Sequence, residues 1–171
     1  MSNAKASREP QILEYGPQRL IGLSRICKTS EDCKNVWADE TGFMKRAQEI
    51  AAPAGQTPDF GLCRCATGAE MGAFDYAAAV PAPDGADLPE GMIEIVIPAG
   101  TYAAFPVAGL SEIGQAWGET GEWLASHPEW QGFCYGNPSG CGCVAHPSFE
   151  FYPPGFDERS GLFVYIPLQS A

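Results

Sequence analysis

In the segment Phe149-Glu150-Phe151-Tyr152 a carboxylate stands among rings. Side chains of a strand alternate between faces, so Phe149 and Phe151 point one way and Glu150 and Tyr152 the other. A carboxylate sharing a face with a tyrosine suits the wall of a cleft. Partly desolvated, it is costly unless paired. An incoming lipophilic cation would relieve that cost and gain about 0.5 to 2 kcal/mol per ring through cation-π contact. Tyrosine and tryptophan carry a polar handle that a cleft wall tolerates, which makes Trp37, Trp117, Tyr76, Tyr102, Tyr152 and Tyr165 the candidate ring donors. The competing readings are an ordinary amphipathic strand with Glu150 in water, and plain helix-to-sheet packing for Trp37 and Trp117.

Cysteine offers a second chemistry. The stretch from Cys134 to His146 carries Cys134, Cys141, Cys143 and His146, three sulfurs and an imidazole that could make a tetrahedral soft-metal site. The one-residue gap between Cys141 and Cys143 fits structural zinc poorly, since paired ligands there are usually two to four residues apart. A second such pair, Cys63 and Cys65, could converge on it. Metal binding, a disulfide or redox role, and unpaired thiols in a loop over the cleft all stay open. Seven cysteines is an odd number, and Met1 to Arg8 lack the apolar stretch of a secretion signal, so reduced thiols are expected. No cysteine-histidine-carboxylate grouping, phosphate-cradling loop or nucleotide fingerprint is present. His127 precedes Pro128 in an expected exposed loop.

Composition limits the partners. The chain has 171 residues, 45% apolar and 18% charged, which fits one globular domain. A net charge of −11, with ten basic against 21 acidic residues, argues against a nucleic-acid surface. No run of 18 apolar residues occurs, so no membrane association and a cytoplasmic location are expected.

Positioning these residues requires elements. Residues 1–11 read as a disordered N-terminal segment, followed by one domain over 12–168 in two halves, about 12–88 and 89–168. Gln18 to Cys27 reads as a strand. Thr29-Ser-Glu-Asp32 has the form of a capping box, and the spacing of Val36, Trp37, Phe43, Met44, Ala47 and Ile50 predicts one amphipathic helix ending before Pro53, with Gly42 its weak point. Phe60–Cys65 and Ala73–Val80 read as strands paired across Thr67-Gly68. After the turn-rich segment 81–91, Met92–Ile97 and Thr101–Phe105 read as a hairpin, Ser111 to Ala125 as a helix, and Phe149–Tyr152 and Leu162–Pro167 as strands. The order strand-helix-strand-strand thus occurs twice, and Gly72-x-Phe74-x-Tyr76 is mirrored by Gly161-x-Phe163-x-Tyr165. Two such halves paired about a pseudo-twofold axis form an antiparallel sheet with two helices, an α+β fold with a central ligand cleft. Tyr76 and Tyr165 are then expected as symmetry-related cleft residues.

These residues resemble a known family. Pro98-Ala-Gly-Thr-Tyr-Ala103, Trp117, Glu122-Trp-Leu124, Pro147-Ser-Phe-Glu-Phe-Tyr152 and Val164-Tyr-Ile-Pro-Leu168 are similar to the GyrI-like, or AraC-type, effector-binding domain, with Ile21-Gly22, Trp37, Tyr76 and Val80 consistent with it. The resemblance spans roughly residues 12–168 and implies the duplicated fold read above. It implies a bacterial small-molecule-binding protein, with a glutamate at the position of Glu150 pairing with cationic ligands, as in multidrug-binding members. Members that hydrolyse strained small molecules supply an alternative, in which Glu150 together with a cleft tyrosine, Tyr76, would act as general acid or base. The family implies no cofactor, and allows a protein partner such as gyrase or a second copy of the chain. No helix-turn-helix is present, so a standalone member without direct nucleic-acid contact is expected. The Cys134–His146 insert departs from the family pattern.

Overall fold

The computed structural model describes residues 8–50, 55–66, 72–133 and 145–171. Its elements run β1 (Gln11–Tyr15), β2 (Gln18–Cys27), α1 (Ser30–Ala38), α2 (Phe43–Arg46), β3 (Asp59–Cys65), β4 (Phe74–Pro81), β5 (Ile93–Ile97), β6 (Gly100–Val107), α3 (Ile113–Ala125), β7 (Trp130–Gly132), β8 (Ser148–Tyr152) and β9 (Leu162–Ser170). Before β1, Arg8 is already tied down by Glu119 of α3 at 2.8 Å and by Glu112 at 3.1 Å.

The nine strands among the described residues join one antiparallel sheet in the order β1-β6-β9-β8-β3-β4-β2-β5, with β7 added on β9. Exchanging β1 with β5, β2 with β6, β3 with β8 and β4 with β9 reverses this order without changing it. The two halves are therefore related by a pseudo-twofold axis between β3 and β8. On that axis Gly61 pairs with Glu150.

The pairing corrects one expectation. β5 and β6 are not a hairpin: β5 pairs with β2, and β6 pairs with β1 and β9. Each half sends its first strand across to the other half, and the symmetric bends at Gly16-Pro17 and Pro98-Ala99 make this exchange. Gly16 has φ +81°, and a Cβ there would lie 2.7 Å from the Pro98 carbonyl oxygen, so the two bends touch where only glycine fits. The pairing of β3 with β4 is as expected, although the turn at Thr67-Gly68 lies outside the described residues.

The expected long helix is also divided. The capping box is present, with Thr29 accepting from Asp32 N–H and the Asp32 carboxylate accepting from Thr29 N–H. The helix stops at Asp39, whose carboxylate accepts from Thr41 N–H and from the Arg25 guanidinium. The chain then folds back so closely that a Cβ on Gly42 would lie 2.8 Å from the Trp37 carbonyl oxygen. A new short helix, α2, starts at Phe43, and Met44 is exposed.

The sheet has two faces of different character. α1 and α3 pack on one of them: Val36 and Phe43 lie with Ile21, Tyr76, Ala78 and Val80, and Ala116 and Leu124 lie with Phe105, Tyr152, Val164 and Ile166. The other face is filled by Leu20, Phe60, Leu62, Ile95, Tyr102, Phe149 and Tyr165, joined by Tyr15 and Phe151. The fold is α+β, a curled antiparallel half-barrel carrying two main helices above the cleft. No described helix is long and apolar enough to cross a membrane.

Candidate functional site

Directly paired residues of an antiparallel sheet share a face. Val164, Glu150, Gly61 and Ala78 form one such row, running from β9 through β8 and β3 to β4. It lies on the helical face, so Glu150 sits at the centre of the sheet beneath the gap between α1 and α3. Tyr152 lies on the same face two residues along β8. Tyr76 joins them from β4, opposite Cys63.

Glu150 is only 6% exposed. Tyr152 donates its hydroxyl hydrogen bond to Glu150 Oε2. The Tyr76 hydroxyl and the Trp117 indole also hydrogen-bond to the carboxyl group. On the far side, Trp37 Nε1 donates to the Tyr76 hydroxyl oxygen at 2.9 Å. One tryptophan from each helix thus closes the site, Trp117 directly and Trp37 through Tyr76. The Trp37 ring stands edge-on to Tyr152 at 5.9 Å and to Phe43 at 5.8 Å.

Burial dominates the electrostatics of the site. Desolvation pushes the Glu150 carboxyl up to about 7, and the hydrogen bonds from Tyr152, Tyr76 and Trp117 oppose this only in part. Arg25, the β2 neighbour of Tyr76, is held instead by Asp39 at 2.5 Å and by Thr41. Burial, then the Glu150 charge, push both Tyr76 and Tyr152 well above the ordinary phenol value, so both remain hydroxyl donors.

The structure therefore brings together Glu150, Tyr76, Tyr152, Trp37 and Trp117. It does not bring Tyr102 or Tyr165 to them. Both lie on the opposite face, where Tyr102 donates to the Pro98 carbonyl at 2.7 Å and Tyr165 stacks on Phe149 at 4.8 Å. The matching Gly-x-Phe-x-Tyr segments are consequently not structural mates. Tyr76 pairs with Cys63 on the Glu150 face, whereas Tyr165 pairs with Phe149 on the other. An odd shift in register separates the two copies, and such a shift turns every side chain over.

Two contributors escaped the reading of the sequence. A Cβ on Gly61 would lie 2.3 Å from the Tyr76 hydroxyl oxygen and 3.3 Å from Glu150 Cδ, so the absence of a side chain there lets the phenol reach the carboxyl. A glycine in mid-strand is the signal that could have shown this. The other is Cys33, one helical turn before Trp37 on α1 and near enough to Glu150 to feel its charge.

Of the cysteine-rich segment, Cys134, Cys141 and Cys143 lie outside the described residues, and His146 stacks on Phe133 at 4.0 Å. Among the described residues no group of three or more metal-ligating side chains is assembled. Cys27, Cys33 and Cys63 are reduced, while Cys65 is in a disulfide, so the expectation of reduced thiols does not extend to Cys65. His127 caps α3, its Nδ1 2.7 Å from the Trp123 carbonyl oxygen.

Comparison with known proteins gives the same architecture. The family model for integron-associated effector binding proteins, Cass2, matches residues 11–168. An integron cassette protein from the mobile metagenome of Vibrio cholerae superposes with a TM-score of 0.58 at 17% identity, covering 94% of this chain and 96% of that one. SAV2435 bound to tetraphenylphosphonium superposes at 0.61 with 15% identity, covering 94% of each chain. The C-terminal domain of EcmrR does so at 0.63 with 13% identity, covering 96% of this chain and 99% of that one. The search of curated proteins returned no match.

Proposed function

The chain belongs to the family of integron-associated effector binding proteins, and on that basis we propose that it binds lipophilic organic cations in the cleft between α1 and α3, with Glu150 as the counter-charge. The observation that carries this reading is a carboxyl group buried on the symmetry axis, ringed by two tyrosines and two tryptophans and held by hydrogen bonds alone. Such a group is a charge site awaiting its partner. A diffuse cation restores the missing Coulomb term while its apolar groups lie against the rings. That SAV2435 holds tetraphenylphosphonium on a similar fold supports this ligand class. Trp37 and Trp117 must part to admit it, so binding alters their fluorescence. The protein would act in the cytoplasm of a bacterium as a sensor or sequestering protein for several such compounds.

The test is a pH series. The cation pairs with the ionised carboxylate, and below a pKa of about 7 the ionised fraction falls tenfold per pH unit. Affinity for tetraphenylphosphonium, followed by tryptophan quenching, is expected to rise about tenfold per unit from pH 5 towards 7 and to level off above it. In Glu150→Gln the profile is expected to be flat. A flat profile in the wild type overturns the assignment of Glu150 as counter-charge.

A second reading uses the same group as a proton donor. A carboxyl near 7 beside the Tyr76 hydroxyl has the protonation balance of a general acid at neutral pH. Under that reading a strained or electrophilic ligand incubated with the protein gains the mass of water, and Glu150→Gln abolishes the gain.

A further inference from the structure

A second pair of reactive groups stands beside the carboxyl cluster. Cys27 ends β2 and is buried, and Cys33 lies in α1, half-buried. Both thiols are reduced. The two side chains pack into the same core cluster under α1, and their thiols hydrogen-bond to one another. Five residues, held by the Thr29–Asp32 capping box, separate them in the chain. This pair is fixed by a strand end and a capped helix, not left on a loose loop.

Their surroundings select the ligand. Burial and the neighbouring anions Asp32, Asp75 and Glu150 keep both thiols protonated, Cys33 up to about 12. No third metal-ligating side chain joins them among the described residues, which removes the four-coordinate zinc geometry. What fits is a soft centre that needs two sulfurs and can react with neutral thiols. Cys33 and Trp37 are four residues apart and share a helix face, so a group bound at Cys33 is directed toward the rings of Trp37 and Tyr152.

We propose that Cys27 and Cys33 form a dithiol site for trivalent organoarsenicals, R–As(OH)2, with the organic group laid along Trp37 in the aromatic cleft. The half-exposed Cys33 reacts first and Cys27 closes the ring. Two As–O bonds break and two As–S bonds form. Each thiol proton leaves with a hydroxide as water, giving R–As(S-Cys)2 and two water molecules, and arsenic stays trivalent throughout. No oxidant is needed and no charge is created, which suits an acidic, water-poor position. The two linked bonds act as a chelate, so the second sulfur binds at high effective concentration.

Phenylarsine oxide, which hydrates to the dihydroxy form, is the probe. Native mass spectrometry of the wild-type protein is expected to show an adduct of one arsenical that survives excess glutathione and is removed by 2,3-dimercaptopropanol, with quenching of tryptophan fluorescence. In Cys33→Ala, and separately in Cys27→Ser, retention of the adduct against glutathione is expected to fall at least a hundredfold. Cys33 is half-buried on the helix, so its variant keeps the test sound even where the Cys27 variant folds poorly. Glu150→Gln is expected to keep the adduct, which separates this site from cation binding. A glutathione-resistant adduct in Cys33→Ala, at any other cysteine, overturns the proposal, as does its absence from the wild type.

Discussion

Glu150→Gln is expected to make the protein more stable at pH 8 and to leave its stability near pH 5 almost unchanged. The folded-state pKa of Glu150 is about 7, raised by burial above its ordinary value of 4.5. Between those values the unfolded chain has already released its proton while the folded protein still holds it. Stability from this group is therefore fully present below about 4.5 and is lost as pH rises through 7. The loss amounts to about 3 kcal/mol at pH 8, from a shift of two to three units at about 1.4 kcal/mol each. Glutamine has nearly the same shape and no charge to desolvate, and the Tyr76 and Tyr152 hydroxyls can turn to accept from its amide. Urea unfolding of both proteins from pH 5 to 8 is expected to give a difference that opens steadily with pH. A pH-independent difference means that Glu150 is not desolvated in the folded protein.

The second large effect is expected at Gly61. An added methyl group meets the Tyr76 hydroxyl oxygen at 2.3 Å and its Cζ at 3.0 Å. Tyr76 is 2% exposed and tied to the Trp37 indole, so the ring has nowhere to go. Gly61→Ala is expected to cost about 1–3 kcal/mol through overpacking. It is also expected to weaken cation binding, because Tyr76 can no longer reach the carboxyl. In Gly61→Ala, Tyr76→Phe the worst contact disappears with the hydroxyl, and part of the lost stability is expected to return. The hydrogen bond does not return, so affinity stays low. Unfolding and ligand titrations on the two variants separate these effects, and an unchanged Gly61→Ala protein would show that Tyr76 is not confined.

Local periodicity made much of this legible. The alternation of Phe149, Glu150, Phe151 and Tyr152 placed the carboxyl and its tyrosine on one face and the phenylalanines on the other, as observed. The Thr29–Asp32 cap was visible because both partners lie within one turn. Relations between strands were not visible. Ile93–Ile97 and Gly100–Val107 have the alternation and the intervening turn of a hairpin, yet both pair across the pseudo-twofold axis, and nothing local announces a partner 71 to 93 residues away. The Tyr76 and Tyr165 segments look alike because both are inner-strand sequences. Their register against β3 and β8 decides which face each ring occupies, and register is a property of the partner strand. Gly61 carries a similar lesson, since its role lies in the space it leaves for Tyr76.

One titration tests the cation site at Glu150 most directly. Isothermal calorimetry of tetraphenylphosphonium into wild-type protein and Glu150→Gln at pH 8 is expected to show saturable single-site binding to the first. Affinity for the second is expected to be lower by tenfold or more, at least about 1.4 kcal/mol, even though that variant is the more stable protein. Equal affinity for both proteins, or no saturable binding to the wild type, would contradict a cation site centred on Glu150.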